Sequence, residues 1–148
     1  MEKPWSEQTI VVTGAASGLG AAVCARFAGL GARVAGIDIR PEALEAARGA
    51  LGERFRAVAC DVTRGDEVES TFAGLGPVDV LVNGAGWGRT APFWEGTPAF
   101  WNQLVALNLM GPMHLSKALL PPMMPRGSGR IVNIASDAGR VGSLGETV

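Results

Sequence analysis

The sequence reads Thr13-Gly14-Ala15-Ala16-Ser17-Gly18-Leu19-Gly20 between a β-branched segment and an Ala-rich segment with a helical pattern. A glycine-spaced turn that follows a strand and opens a helix is typical of a phosphate-binding loop. Gly14 permits the tight turn off the strand, and Gly18 and Gly20 let the backbone approach a pyrophosphate. Free N–H groups and the helix dipole favour negative charge at this position. The stretch therefore predicts a strand–turn–helix unit that binds a dinucleotide.

The rest of the chain alternates short β-branched segments with longer helical patterns, without internal repeats. Strands separated by helices of this length imply right-handed crossovers and a parallel sheet covered on both faces. We predict an α/β fold with a Rossmann-like, doubly wound parallel sheet, in which residues 1–148 form one domain that binds ligand at the carboxyl ends of the strands. Strands are predicted over 9–13, 33–37, 55–60, 78–82 and 130–135, helices over 18–30, 41–51, 63–72 and 97–120, and a loop from 136.

Local signals mark where the later helices begin. Pro41 suits the first position of the second helix, and residues 63–66 approximate a capping box that opens the third. Thr97 is predicted to be the N-cap of the long fourth helix, ahead of Pro98. Within that helix Pro112 lacks the N–H that would bond the carbonyl of Asn108, so a kink and a released Asn108 carbonyl are predicted.

Asp38 ends the second predicted strand, beside the glycine-spaced turn. A carboxylate in this position can accept both hydroxyls of an adenosine ribose and would repel a 2′-phosphate. The sequence therefore favours NAD as the cofactor, with NADP less favoured. Arg40 keeps NADP open, because an arginine near the ribose can accommodate the phosphate.

Composition excludes several other classes. The chain is 47% hydrophobic and 18% charged, which is typical of a globular protein. Its net charge is −1 and its basic residues form no cluster, so no nucleic-acid or membrane surface is predicted. Cys24 and Cys60 are predicted to be small buried residues in a reducing compartment, and no metal site is predicted. The long uncharged runs contain Gly, Pro and Asn, which argues against a membrane span, and acidic residues precede the first run, which argues against a signal peptide. The chain is therefore expected to be soluble and cytoplasmic.

With these motifs the chain resembles the short-chain dehydrogenase/reductase family. The spacing Thr-Gly-(three residues)-Gly-x-Gly at 13–20 is typical of that family, and further matches follow in the family's order. They are Asp61-Val62 after the third strand, Asn83-Gly84-Ala85-Gly86 after the fourth, Asn108 in the long helix and Ser136 after the fifth strand. Gly84 replaces the second Asn of the family's Asn-Asn-Ala-Gly turn, so some hydrogen bonding between strands is expected to differ.

The resemblance implies hydride transfer between nicotinamide and a secondary alcohol or ketone, a small-molecule substrate. Ser136 would hydrogen-bond the substrate oxygen, and the main-chain oxygen of Asn108 would anchor a water in the proton relay. Residues 132–148 look closest to bacterial members that act on 3-hydroxyacyl or 3-oxoacyl thioesters, and full-length family members are usually homotetramers or dimers. The implied cofactor-binding residues are Thr13, Gly14, Ser17, Gly18, Leu19, Gly20, Asp38, Ile39, Asp61, Val62, Asn83, Ala85 and Gly86.

The sequence contains no tyrosine. In the family a catalytic Tyr follows the Ser, and a Lys one helical turn later lowers its pKa. By this resemblance the Tyr would come just beyond Val148, so we expect a C-terminally incomplete Rossmann domain that lacks the family's last strands and is inactive alone. Three interpretations stay open: an NAD-dependent dehydrogenase of which these residues are an incomplete part, a non-catalytic dinucleotide-binding fragment, and a subunit completed by a partner chain.

An incomplete sheet has structural consequences. The fifth strand would be an open edge, and the long helix would lose a neighbour. Leu104, Leu107, Met110 and Leu115 would then be partly exposed.

Four other side chains have separate predictions. Trp87 follows the turn after the fourth strand and is predicted to line a hydrophobic substrate pocket. Trp94 and Trp101 are predicted to be packing residues. His114, the single histidine, is predicted to be a packing or interface residue.

Overall fold

The computed structural model describes residues 3–145 and places a five-stranded parallel sheet at their centre. The strand order is β3-β2-β1-β4-β5, so the direction of winding reverses between β1 and β4. This confirms the doubly wound α/β class, and ligands of such sheets bind at the point of reversal. The strands are β1 (Thr9–Thr13), β2 (Arg33–Asp38), β3 (Phe55–Ala59), β4 (Val80–Asn83) and β5 (Arg130–Asn133).

Helices cover both faces of this sheet, as the crossovers require. They are α1 (Gly18–Gly29), α2 (Pro41–Leu51), α3 (Gly65–Ala73), α4 (Pro98–Val105), α5 (Gly111–Met123) and the short α6 (Ala138–Val141). Within the described residues, no helix is long and apolar enough to cross a membrane.

The core lies in two layers, one on each side of the sheet. Ile10 and Val12 of β1 point to the layer that contains Cys24 and Leu44, whereas Val11 points to the opposite layer. Because successive strand residues face opposite sides and both sides are covered, the strands are apolar at nearly every position. The second layer is closed by α3 and α5, through Val68, Phe72, Leu115 and Leu119.

The predicted starts of the helices have different outcomes. Thr97 is confirmed as an N-cap, since its Oγ1 accepts a hydrogen bond from the N–H of Phe100 at 3.2 Å. The capping box predicted at 63–66 is wrong, because the N-cap of α3 is Arg64 and no side-chain hydrogen bond caps the helix. Thr63 Oγ1 instead donates to Asp61 Oδ1 at 2.7 Å, so the local Asx turn takes the hydroxyl that the cap would have used.

The long fourth helix is divided by a π-helical turn at Ala106–Met110. A π turn reaches one residue further for its hydrogen bond and absorbs an extra residue without breaking the helix. Pro112 consequently lies in the first turn of α5, where a missing N–H costs little. The helix continues through Pro121 and Pro122 to Met123, three residues beyond its predicted end.

The segment after β5 also differs from its prediction as a loop. Ser136 Oγ accepts a hydrogen bond from the N–H of Ala138 at 3.2 Å, at the start of α6. A serine in this position satisfies a free donor of a helical first turn.

β5 lies at the edge of the sheet in the described residues, with Val132 45% and Ile134 41% exposed, as expected. The expected exposure of the long helix is wrong for Leu104 and Leu115, which are 5% and 1% exposed. Leu115 packs in the core layer beside the sheet, and Leu107 is partly buried against the same layer. Met110 is 38% exposed, and the outer surface is formed by Val105, Leu109, Met113 and Leu120.

This placement predicts a stability contrast along α5. Leu115→Ala leaves a cavity in the core and should lower the free energy of unfolding by about 2–5 kcal/mol. Met113→Ala, at a position 53% exposed, should change it by less than about 0.5 kcal/mol. Urea unfolding followed by circular dichroism measures both, and similar losses for the two variants would contradict the assigned helix register.

Candidate active site

A cleft of about 860 Å³ opens at the carboxyl ends of β1, β2 and β4, at the start of α1. Eleven of the predicted cofactor-binding residues line it: Gly14, Ser17, Gly18, Leu19, Gly20, Asp38, Ile39, Asp61, Val62, Ala85 and Gly86. Among the described residues, Thr13, Asn83, Asn108 and Ser136 are not part of this lining. The structure thus separates the predicted residues into a lining group and a supporting group.

The glycine-spaced turn is built by close backbone packing. Gly14 has φ +70°, and a Cβ there would lie 2.9 Å from the carbonyl oxygen of Gly84. A Cβ on Gly20 would lie 2.1 Å from the carbonyl oxygen of Gly14, so Gly20 is required for α1 to start this close to β1. Gly18 has φ +54° and nothing within 4 Å of its Cβ position, which leaves its side of the turn open to a ligand. Among the three glycines of this turn, Gly18 alone combines positive φ with open space, as close approach of a phosphate requires.

Thr13 supports the turn after β4 from within the sheet. Its Oγ1 accepts hydrogen bonds from the N–H groups of Gly84 and Ala85, both at 3.0 Å, and the residue is 1% exposed. A Cβ on Gly84 would lie 2.9 Å from the Thr13 carbonyl oxygen. Because Thr13 accepts its hydrogen bonds from main-chain N–H groups, the turn after β4 is held without an asparagine side chain at position 84.

Asp38 is 8% exposed at the end of β2, and both of its carboxylate oxygens already accept hydrogen bonds. Ala16 N–H donates to Oδ2 at 3.1 Å, and Arg40 donates to Oδ1 through its main-chain N–H at 3.1 Å and its Nε at 3.0 Å. Burial alone would raise the pKa of Asp38, but these bonds and the charge of Arg40 lower it overall. The carboxylate is thus ionised at neutral pH.

Arg40 connects Asp38 to the glycine-spaced turn. Its Nη2 donates to Ser17 Oγ at 2.9 Å and to Asp38 Oδ2 at 3.3 Å, and its side chain is 53% exposed. The guanidinium therefore lies across the mouth of the cleft between β2 and α1. The sequence predicts an arginine near Asp38, but it does not predict the hydrogen bond from Arg40 to Ser17.

The turn after β3 has its own hydrogen bonds. Asp61 Oδ1 accepts from the N–H of Thr63 at 3.0 Å as well as from its hydroxyl, and the N–H of Asp61 donates to Glu67 Oε1 at 2.9 Å. His114 Nδ1 lies 3.1 Å from the carbonyl oxygen of Val62. His114, predicted to be a packing or interface residue, thus hydrogen-bonds a segment that lines the cleft.

Asn108 lies in the π turn and holds the loop that follows Gly86. Its Nδ2 donates to the carbonyl oxygen of Trp87 at 2.9 Å, and its Oδ1 accepts from the N–H of Trp87 at 3.2 Å. This pair of bonds fixes the loop with the side chain of Asn108, a role beyond the predicted one of its main-chain carbonyl. A Cβ on Gly86 would lie 2.8 Å from Asn108 Oδ1, so a side chain at position 86 would displace the amide of Asn108.

Ser136 follows β5 on the exposed side of this region. β5 is joined to β4 by the bond from Ile134 N–H to the carbonyl oxygen of Asn83 at 3.0 Å and by Asn83 Nδ2 donating to Asn133 Oδ1 at 2.7 Å. Asn83 Oδ1 is buried with no hydrogen-bond partner. Beyond Ser136 the chain returns to the loop after Trp87, where Ala91 N–H donates to the Gly145 carbonyl oxygen at 2.9 Å. The serine segment and the tryptophan loop are thereby joined.

The aromatic side chains near the cleft have distinct environments. Trp87 lines the cleft, is 46% exposed, and contacts Phe100 with ring centroids 5.8 Å apart. Trp101 stacks on Phe93 at 5.1 Å, which confirms it as a packing residue. Trp94 is 83% exposed, so its prediction as a packing residue is wrong. It lies in a short 3-10 turn, Phe93–Glu95, that directs this side chain outward.

The fold and the cleft define a dinucleotide-binding α/β protein, and comparison with known proteins identifies the family. A sequence profile of the short chain dehydrogenase family matches residues 8–148, so the chain belongs to that family. D-threitol dehydrogenase of Mycolicibacterium smegmatis is 40% identical over 138 residues, which are 88% of this chain and 53% of that enzyme. Acetoacetyl-CoA reductase of Rhizobium meliloti is 37% identical over 140 residues, 92% of this chain and 58% of that enzyme.

Solved structures agree in fold. A metagenomic short-chain oxidoreductase in complex with NADP superposes with a TM-score of 0.90 at 36% identity, covering 96% of this chain and 68% of the other. Serine dehydrogenase complexed with NADP⁺ superposes with a TM-score of 0.92 at 30% identity, covering 95% and 59%. The chain spans little more than half the length of the curated relatives it matches.

The packing of the glycine-spaced turn can be tested within one helix. Gly20→Ala forces α1 away from β1 and should lower the free energy of unfolding by about 2 kcal/mol or more. Gly29→Ala, in the same helix with nothing within 4 Å of the new methyl group, should raise it by about 0.5–1 kcal/mol. Denaturant unfolding compares the two, and a Gly20→Ala variant as stable as the wild type would show that the close approach is not needed.

Proposed function

We propose that this chain binds a nicotinamide dinucleotide in the cleft, with NAD(H) preferred to NADP(H), and forms the cofactor-binding part of an oxidoreductase site. The observation that carries the proposal is the ionised carboxylate of Asp38, buried beside the open side of the glycine-spaced turn. An acid at the end of the second strand recognises ribose hydroxyls, and the N-terminus of the following helix recognises a pyrophosphate.

Each lining segment has a role in this proposal. The turn at 14–20 holds the pyrophosphate, Asp38 and Ile39 hold the adenosine ribose and its surroundings, and Asp61 and Val62 face the adenine. Ala85 and Gly86 lie on the nicotinamide side, where Thr13 and Asn108 fix the backbone. The side-chain oxygen of Asn83, at the end of β4, is buried without a hydrogen-bond partner and is a further acceptor next to these residues.

The charges around Asp38 support the preference for NAD(H). Ribose hydroxyls can replace the donors of Arg40 on the Asp38 oxygens, so the carboxylate stays paired when NAD(H) binds. A 2′-phosphate would place a second anion against this carboxylate and would depend on Arg40 leaving it. Arg40 also supports some NADP(H) binding, since more than half of its side chain is exposed.

The bound cofactor would accept or supply a hydride. In the proposed reaction Ser136 donates a hydrogen bond to the oxygen of a secondary alcohol or ketone, and Asn108 maintains the loop that adjoins the reacting position. The relatives include enzymes named for a polyol and for acetoacetyl-CoA, so the shared substrate class is a secondary alcohol or ketone, and a 3-oxoacyl thioester is one candidate within it. Proton transfer needs a further acid or base, and the 148 residues contain no tyrosine to provide a phenol.

Cofactor preference gives the direct test of the proposal. NADH should bind more tightly than NADPH, and Asp38→Asn should weaken NADH binding by about ten- to a hundredfold, because a neutral amide accepts weaker hydrogen bonds from the ribose. Asp66→Asn, whose carboxylate is exposed and paired with Arg64, is the matched control and should bind like the wild type. Fluorescence of NADH at increasing chain concentration measures each Kd, and tighter binding of NADPH would overturn the preference.

Turnover gives the second test. We expect the 148-residue chain with NADH and acetoacetyl-CoA to oxidise no NADH above the rate without protein, although NADH binds. Absorbance of NADH over time measures the rate, and native mass measured on the same sample reports whether the chain binds as a monomer. Clear oxidation of NADH would contradict the requirement for a phenol.

A further inference from the structure

His114 contacts the adenine side of the cleft from behind, and we propose that it is a positioning residue that raises affinity for the adenosine half of the cofactor. The inference rests on the proposed function of the cleft and adds to it a residue outside the cleft lining. It is carried by the bond between His114 Nδ1 and the carbonyl oxygen of Val62 at 3.1 Å. Because a carbonyl oxygen only accepts, Nδ1 carries the proton in this bond.

The same helix contacts Val62 at a second point. A Cβ on Gly111 would lie 3.1 Å from Val62 Cγ2, so the absence of a side chain at 111 lets the valine pack against α5. Gly111 and His114 are three residues apart and share one face of the helix. α5 therefore holds the side chain of Val62 through Gly111 and its main chain through His114.

The imidazole ring also fills the space beside the start of α3. A Cβ on Gly65 would lie 3.4 Å from Cδ2 and 3.5 Å from Nε2 of His114. The ring thus hydrogen-bonds the segment after β3 at Val62 and occupies the space next to Gly65, where a side chain would touch it. A second residue of this segment, Asp61, is held by Glu67, whose carboxylate accepts a hydrogen bond from the N–H of Asp61.

The bond from His114 controls one peptide group of the cleft lining. The carbonyl of Val62 and the N–H of Thr63 belong to the same planar unit. The N–H of Thr63 donates to Asp61 Oδ1 at 3.0 Å, so this peptide is held at its oxygen by His114 and at its nitrogen by Asp61. Rotation of the peptide would break both bonds, and one of them is among the two hydrogen bonds that hold the carboxylate of Asp61, a residue of the cleft lining.

The chemical consequence is specific to one half of the ligand. Asp61, Val62 and Thr63 line the cleft on the side of β3, away from the loop at 84–87 that Asn108 holds. An adenine base offers an exocyclic amino donor and ring nitrogen acceptors. These groups bind best to protein donors and acceptors that are held in fixed positions. Loss of the His114 donor should therefore weaken ligands that contain adenine and leave a ligand without adenine unaffected.

The test pairs two substitutions with three ligands. His114→Phe keeps a ring of similar shape without a donor, and His114→Asn places an amide donor where Nδ1 lies. We expect His114→Phe to weaken 5′-AMP and NADH by about three- to tenfold, the effect of one hydrogen bond, and to leave reduced nicotinamide mononucleotide unchanged. His114→Asn should restore affinity for AMP to near the wild-type value. Isothermal titration of the full chain measures all three ligands, with Met113→Ala on the exposed side of α5 as the control.

The outcomes separate this inference from the function on which it rests. Unchanged AMP affinity in His114→Phe would overturn the inference about His114. An equal loss of affinity for all three ligands, together with a lower unfolding midpoint, would also overturn it, because that result indicates a general structural role. A wild-type chain that binds neither NADH nor AMP would overturn the proposed function itself. Selective loss of adenine-bearing ligands that His114→Asn reverses is the result that the hydrogen bond predicts.

Discussion

The close approach of three backbone segments at the carboxyl end of β1 is the constraint on which the site depends. Gly20 lies against the carbonyl of Gly14, and Gly84 lies against the carbonyl of Thr13, at distances that admit no side chain. The hydroxyl of Thr13 then joins β1 to the turn after β4. This packing positions the start of α1 and the turn after β4 on two sides of one cleft. A bulkier residue at either glycine would separate the two halves of the site before any ligand contact was lost.

Electrostatics at the end of β2 follow from the same geometry. The side chain of Arg40, together with the N–H of Ala16 that the turn brings within 3.1 Å, lowers the pKa of Asp38 against the effect of burial, so a nearly buried carboxylate keeps its charge. Arg40 completes the pairing and reaches Ser17 across the cleft. A nucleotide that enters this position must exchange its own donors for those of Arg40. In the proposed cofactor site, specificity would therefore be decided at the oxygens of Asp38, where ribose hydroxyls compete with the guanidinium of Arg40 and a 2′-phosphate is repelled.

Sequence reasoning was sound where the chemistry is local and incomplete where distant segments meet. β1 is predicted to the residue, since a β-branched run beside a glycine-spaced turn permits few alternatives. The π turn was missed because it depends on fitting α4 and α5 to one sheet, and the single proline at 112 predicted only a kink. The bonds of Arg40 to Ser17 and of His114 to Val62 join residues far apart in the chain. No local pattern carries such information, so the cleft lining and the supporting residues Thr13 and Asn108 could be predicted, but the bonds that Arg40 and His114 make could not.

The segment from α4 to α5 supports both ends of the cleft at once. Asn108 in the π turn holds the main chain of Trp87, and six residues later His114 holds the main chain of Val62. The π turn makes this possible, because one additional residue rotates Asn108 relative to the regular helix that carries His114. The two loops are otherwise attached to different strands, β4 and β3, on opposite sides of β1. A displacement of this one helical segment would therefore move the loops after β3 and β4 together, which links the two halves of the proposed cofactor site through the helix behind them.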